Sequence, residues 1–141
     1  MNEIALRVAG LLVARGKVLL VKHRKRGRSY WVLPGGHVRF GETLADAVVR
    51  EMKEELALDV TVGPLVVVHD FVHRRTHRVN LVFRVETAAK KFRVSRQRVL
   101  RGARWVNMGG LDGIDFLPPI AKHLRHVIRH PRGAVLYLGN V

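Results

Sequence analysis

Cysteine is absent from this 141-residue chain, which removes disulfides and thiolate metal ligands and leaves the redox compartment unmarked. Aromatic residues make up only 6%, so the interleaved stacking platform of a single-strand nucleic-acid binder is mostly missing. No apolar run approaches the roughly 20 residues that span a bilayer. The opening Met1-Asn2-Glu3-Ile4-Ala5-Leu6-Arg7-Val8 also lacks the basic region, long apolar stretch and cleavage pattern of a secretory signal. A soluble protein without membrane contact is therefore expected, with the cytoplasm as the default compartment. Acidic residues are few too: 11 Asp and Glu stand against 26 Lys and Arg, a formal charge of +15.

That excess of one sign draws in polyanions without choosing among them. It gathers in Lys22-His23-Arg24-Lys25-Arg26-Gly27-Arg28 and in a longer stretch holding Lys90, Lys91, Arg93, Arg96, Arg98, Arg101 and Arg104. Solvated surface, help with a phosphate-rich substrate and nucleic-acid binding are all compatible with it, nucleic acid least so.

With 48% apolar residues, the chain has material for one core, and a single domain over 1–141 is expected. Ile4 to Ala14 and Lys17 to Lys22 are apolar, β-branched runs parted by Arg15-Gly16, two strands joined by a tight reversal. Arg24 to Ser29 reads as a basic loop, and Tyr30-Trp31-Val32-Leu33 as a short segment halted by Pro34-Gly35-Gly36. Thr43 suits an N-cap and Asp46 the third helical position, so a helix is predicted from Leu44 to Leu56. Strands over Asp59 to Asp70 and Arg78 to Glu86 follow, connected near His73-Arg74-Arg75-Thr76, and then a short strand over Ala103 to Val106. Pro118-Pro119 opens a helix carrying Ile120, Leu124, Val127 and Ile128, and Ala134 to Leu138 makes a last strand. The economical packing of this order is α/β, a mixed β-sheet between helices in an α/β/α sandwich.

Five of the 11 acidic residues fall between Glu42 and Glu55. At 100° per residue, Leu44, Ala45, Val48, Val49, Met52 and Leu56 form the face expected against the sheet. Glu51, Glu54 and Glu55 share an arc of about 100° beside it, with Ala47 among them, small enough to leave room for a ligand. Arg50 is spaced to pair with Glu54 on the solvent side, which leaves Glu51 and Glu55 as like-charged neighbours one turn apart. An acidic solvated face is the bland explanation. Coupled to Glu42 and a Gly-rich turn, the acids instead suit a hard divalent cation and phosphoryl chemistry.

The stretch resembles the signature of the Nudix hydrolases, carried here by Gly36, Glu42, Arg50, Glu51, Met52, Glu54, Glu55 and Leu58, in the MutT-like single-domain form. It departs at one place: Ala57 stands where the family has glycine, and a positive φ there would strain alanine by ~1 kcal/mol. The resemblance implies a Nudix-type sandwich and a Mg2+-dependent nucleotide pyrophosphatase, with Mn2+ as the alternative ion. It makes the substrate a nucleoside triphosphate or a nucleoside diphosphate linked to another group. It also implies that Glu51, Glu54, Glu55 and the Gly36 carbonyl bind metal with support from Glu42. Glu54 then helps activate water, and Arg50 orients the acids, completing a catalytic set of Glu54, Glu51, Glu55 and Arg50. RNA 5′-end pyrophosphohydrolase activity, or a non-catalytic nucleotide or RNA sensor, are the alternatives.

Outside the signature, Arg7, Lys22 and Arg39 are candidates to bind phosphate, Trp105 and Phe71 to stack on a nucleobase, and Glu86 to act as a further base. Trp31 reads as core packing that anchors the rigid loop. His69, His73 and His77 would meet only on a helix, and their strand-and-turn surroundings suit histidines that line a loop rim or bind phosphate weakly. A homodimer is expected, through strands or the last helix.

Overall fold

Arg15 and Gly16, both at positive φ (52° and 74°), reverse the chain between β1 (Ala5–Ala14) and β2 (Lys17–Lys25), a backbone twist that suits the tight hairpin. This is a computed structural model, and it describes residues 2–97 and 99–141. Arg98, counted above in the second basic stretch, lies outside the described residues. The reversal recurs at Arg26 and Gly27 (φ 52° and 76°), so the basic loop expected over Arg24 to Ser29 is instead a hairpin into β3 (Arg28–Val32).

The chain continues through β4 (Gly35–His37), α1 (Leu44–Leu56), β5 (Thr61–His73), β6 (Thr76–Glu86), β7 (Leu100–Asn107), a 3-10 turn at Met108–Gly113, α2 (Ala121–Arg129) and β8 (Leu136–Asn140). The strand order is β3-β2-β1-β6-β5-β8, with β4 also pairing β1 and β7 pairing β2. β1 runs parallel to β6, and β5 to β8, while the remaining pairs are antiparallel. The sheet is therefore mixed, as expected.

β1 shows how the two layers form, because alternate side chains of a strand leave opposite faces. Val8 and Leu12 pack with Val48, Met52 and Leu56 of α1. Ala9 and Leu11 pack with Leu124 and Val127 of α2. Each fully buried Leu or Met contributes about 1.5–3 kcal/mol, and both faces are helix-covered, which makes the α/β/α sandwich.

α1 has the expected bounds: the Asp46 amide donates to Thr43 Oγ1 at 3.1 Å, a cap contributing about 1 kcal/mol. Its buried face, however, is rotated toward the acids. Ala47 is fully buried, so its small side chain brings the helix close to the sheet and leaves no ligand space. Ala45 and Val49, expected inside, are exposed. α2 starts at Ala121, past Pro118-Pro119, and the last strand starts at Leu136, two residues later than expected.

Candidate functional site

β4 lies antiparallel to β1, with Gly35 opposite Ala9, Gly36 opposite Val8 and His37 opposite Arg7. Side chains are impossible at the first two. A Cβ on Gly35 would overlap the Val8 carbonyl, and one on Gly36 would collide with the Glu51 carboxylate. The glycines thus let α1 and β1 close on the same short strand.

Arg50 is the hub of the acids. Its Nε donates to Glu42 Oε2 at 2.7 Å, Nη2 to Glu42 Oε1 at 2.9 Å and to the His37 carbonyl at 3.0 Å, and Nη1 to Glu51 Oε1 at 2.8 Å and Glu54 Oε2 at 3.3 Å. The pairing that helical spacing offered with Glu54 therefore extends to three carboxylates and into the protein: Arg50 and Glu51 expose only 17% and 14% of their side chains. The fork geometry of guanidinium is what allows one cation to hold several carboxylate oxygens. The bonds to Arg50 and the Arg39 amide hold the Glu42 carboxyl down at about 2.

Glu55 is outside Arg50's reach and is buried. Its Oε1 accepts the Gly35 amide at 2.7 Å. Burial pushes its carboxyl up to about 7, and the charge on Glu51 adds to the rise, against the pull of the Gly35 bond. Glu54 is the most open acid of the helix trio, with a distant Arg39 Nη2 at 3.7 Å.

The end of α1 is tied down from two sides. Ala57 adopts φ 54°, ψ 34°, the left-handed conformation anticipated for the motif's glycine position. Arg93 and Ser95 amides donate to the Leu56 and Glu55 carbonyls, each at 2.9 Å, and Gln97 Nε2 to the Glu54 carbonyl at 3.4 Å. Carbonyls left over at a helix end need such partners. This segment had no signal in the sequence beyond its charge.

The remaining candidates scatter. Arg7 neighbours the acids across Gly35-Gly36, and burial lowers its pKa while Glu55 and Glu51 raise it. Lys22 sits over Trp31 (5.9 Å) on the other side of the sheet, with Arg104 over the same ring at 4.7 Å. Trp31 is half-buried, packing on the core as expected while carrying these cations. Trp105 packs with the α1-side core, and Phe71 lies under Arg78 at 4.6 Å. Glu86 is exposed at the end of β6. It lies one residue past the Leu12–Val85 pair, five positions or about 17 Å along the sheet from Val8 and Gly36, so it does not join the acids. His69 is buried within β5, not on a loop rim, and His77 sits in β6.

The oxygen donors of Glu51, Glu54, Glu55 and Gly36 fit a hard cation chemically. Among the described residues, however, no three acidic or histidine side chains are gathered closely enough to hold an ion, and Arg50 holds one oxygen each of Glu51 and Glu54 and both of Glu42. Glu42, Glu51 and Glu54 meet at one guanidinium, and Glu55 stands apart on the Gly35 amide. No helix is long and apolar enough to cross a membrane among the described residues.

The family profile described as NUDIX domain matches residues 1–130. A Mycobacterium tuberculosis (H37Rv) protein named putative 8-oxo-dGTP diphosphatase 2 is 35% identical over 130 residues, covering 84% of this chain and 82% of that protein. An ADP-ribose pyrophosphatase of Methanocaldococcus jannaschii is 39% identical over 82 residues, 56% of this chain and 48% of that protein, so the match spans about half of the archaeal relative. The solution structure of the E. coli ORF135 protein superposes with a TM-score of 0.79 at 22% identity, covering 94% of this chain and 95% of that one. The MutT protein from Methanosarcina mazei Go1 does so with a TM-score of 0.79 at 20% identity, covering 94% and 98%. At these identities the structural likeness shows the fold.

Proposed function

Because the chain belongs to the NUDIX family, whose members generally cleave pyrophosphate bonds, we propose that it is a divalent-metal-dependent hydrolase of a nucleoside triphosphate or of a nucleoside diphosphate linked to another group. The observation that carries this reading is Arg50's simultaneous hold on Glu42, Glu51 and Glu54 beside Gly36. The names of the two relatives described above support the same substrate range. Mg2+ is the proposed ion and Mn2+ the alternative; the chemistry such an ion supplies is charge neutralisation and a lower pKa for attacking water.

In the reaction, a water oxygen bonds to one phosphorus, and the bridging oxygen leaves with the other phosphoryl group. The two products share the charge, and one water proton passes to a base. Glu51, Glu54, Glu55 and the Gly36 carbonyl are the proposed metal-binding oxygens, with Glu42 supporting them through Arg50. Glu54, the most exposed of the helix trio, is the proposed acceptor of the water proton. Glu55, with its carboxyl near 7, is protonated in about half of the molecules at neutral pH, and that proton must leave before the carboxylate binds a cation. Arg7 and Arg39 are the proposed phosphate contacts nearest the acids.

A panel of nucleoside triphosphates, ADP-ribose, dinucleoside polyphosphates and nucleotide sugars assayed with Mg2+ tests the proposal. Glu54→Gln is expected to lower kcat by about 100-fold or more. Ligand binding without turnover of any panel member by the intact protein would instead favour a sensor. The charge of +15 supports a second reading, removal of terminal phosphates from RNA, which would show as steep salt dependence and a preference for oligonucleotides.

A further inference from the structure

We propose that the α2-side face of the sheet carries a second phosphate subsite, formed by Arg7, Arg78, His69 and Asn80, that holds phosphate lying outside the bond to be cleaved. The proposal deepens the hydrolase reading and takes its substrate class from it. It favours nucleoside triphosphates and dinucleoside polyphosphates over ADP-ribose and nucleotide sugars.

Register places the four residues together. Arg7 pairs with His37 on one side and Asn80 on the other, and Asn80 pairs with His69. Directly paired residues share a face, so His37, Arg7, Asn80 and His69 form one row across β4, β1, β6 and β5. Two positions along, Arg78 and Phe71 pair on the same face. The next positions inward, Ala9, Val82 and Val67, belong to the core under α2. The row thus lies just beyond the helix-covered part of the sheet, and it begins at the His37 carbonyl that Arg50 holds.

Two of its buried polar atoms lack partners. Among the described residues, neither Arg7 nor Arg78 makes an ion pair or a side-chain hydrogen bond, and Arg78 meets only the Phe71 ring. The two guanidinium groups are close enough for each charge to act on the other. His69 and Asn80 are buried, 4% and 8% exposed, and His69 Nδ1 and Arg78 Nε are buried without a hydrogen-bond partner. Buried polar atoms are normally satisfied, so orphans beside two guanidinium groups with no hydrogen-bonded or ion-paired acceptor point to a missing acceptor. A phosphate supplies negative charge and several acceptor oxygens at once, with guanidinium as its fitted donor. A neutral nucleobase would bring no charge to the two guanidinium groups, and the Phe71 ring it would stack on is already faced by Arg78.

The test is binding of inorganic tripolyphosphate to the full chain by calorimetry, in chelator without metal and at fixed ionic strength. Arg78→Met and, separately, Arg7→Gln are expected to weaken it at least tenfold. Lys91→Met, which removes the same charge beyond the far end of β6, should change it less than twofold. Circular dichroism screens the variants for folding, and either subsite variant suffices. Equal effects from Arg78→Met and Lys91→Met would reduce the binding to the general field and overturn the proposal. So would loss of guanosine binding in Arg78→Met with tripolyphosphate binding intact, which would make the row a base reader. No turnover is needed, so a chain that binds tripolyphosphate through Arg78 yet hydrolyses nothing would fail only the hydrolase reading.

Discussion

The Glu51 carboxylate occupies the space that a side chain at Gly36 would need. Helix and strand therefore meet at a point where only a hydrogen is tolerated, and the position of an acid depends on a residue 15 places earlier in the chain. Gly36→Ala is expected to push Glu51 out of Arg50's reach and to lower kcat/KM by about 100-fold, the scale of a 1 Å misplacement. β4 keeps its backbone pairing, so far-UV circular dichroism should not change. Full activity in a folded Gly36→Ala protein would show that the placement of Glu51 is irrelevant to turnover.

Ala57 holds φ 54° at the end of α1, which a Cβ makes unfavourable by about 1–2 kcal/mol. Ala57→Gly removes that strain, offset in part by the greater freedom of glycine when unfolded. The expected outcome is a gain of about 1 kcal/mol, or roughly 3 °C in melting temperature for a chain of this size, with activity unchanged. A lower melting temperature would place the strain elsewhere.

Glu55 gives stability a definite pH dependence. Its folded carboxyl titrates near 7 against an ordinary value of 4.5, so between those values the folded state binds more protons than the unfolded one. Stability from this group is present below pH 4.5 and declines as pH rises through 7. In metal-free protein, Glu55→Gln should therefore raise stability at pH 8 relative to the parent, by on the order of 1–3 kcal/mol, and change it little at pH 4. Denaturant titrations at the two pH values read this directly. The same proton should be released on Mg2+ addition near pH 6.5, seen as a buffer-dependent heat.

Arg50 and Glu42 make the reciprocal case. Glu42 titrates near 2 chiefly because of the Arg50 hydrogen bonds, so its contribution to stability is present above pH 4.5 and lost as pH falls through 2. Arg50→Gln should return the Glu42 carboxyl toward its ordinary value, measured by NMR titration of the side-chain carboxyl carbon. A Glu42 resonance still titrating near 2 in that variant would mean that the Arg39 amide, not Arg50, holds the charge.

Much of this was legible locally. Thr43 and Asp46 marked the start of α1 and Arg15-Gly16 marked a hairpin, while the left-handed helix end at Ala57 was legible only through the resemblance, which has glycine there. Arg26-Gly27 was equally a turn but lay inside a run of charges that reads as loop. Helical spacing grouped Glu51, Glu54 and Glu55, yet the side of α1 that the sheet would cover was off by part of a turn, because burying Ala47 depends on how closely β1 and β4 approach.

The amino-acid sequence by itself determined the family, the bounds of the acidic helix and which acids lie within one turn of each other, since 3.6-residue periodicity and cap chemistry act over neighbouring positions. Tertiary structure alone decided which oxygens of Glu42, Glu51 and Glu54 Arg50 would hold, that Glu55 would be buried against Gly35, and that Arg7, Asn80 and His69 would stand in one row while Glu86 stood apart. Those relations depend on strand register and layer packing between residues distant in the chain, where a shift of one position turns every side chain to the other face.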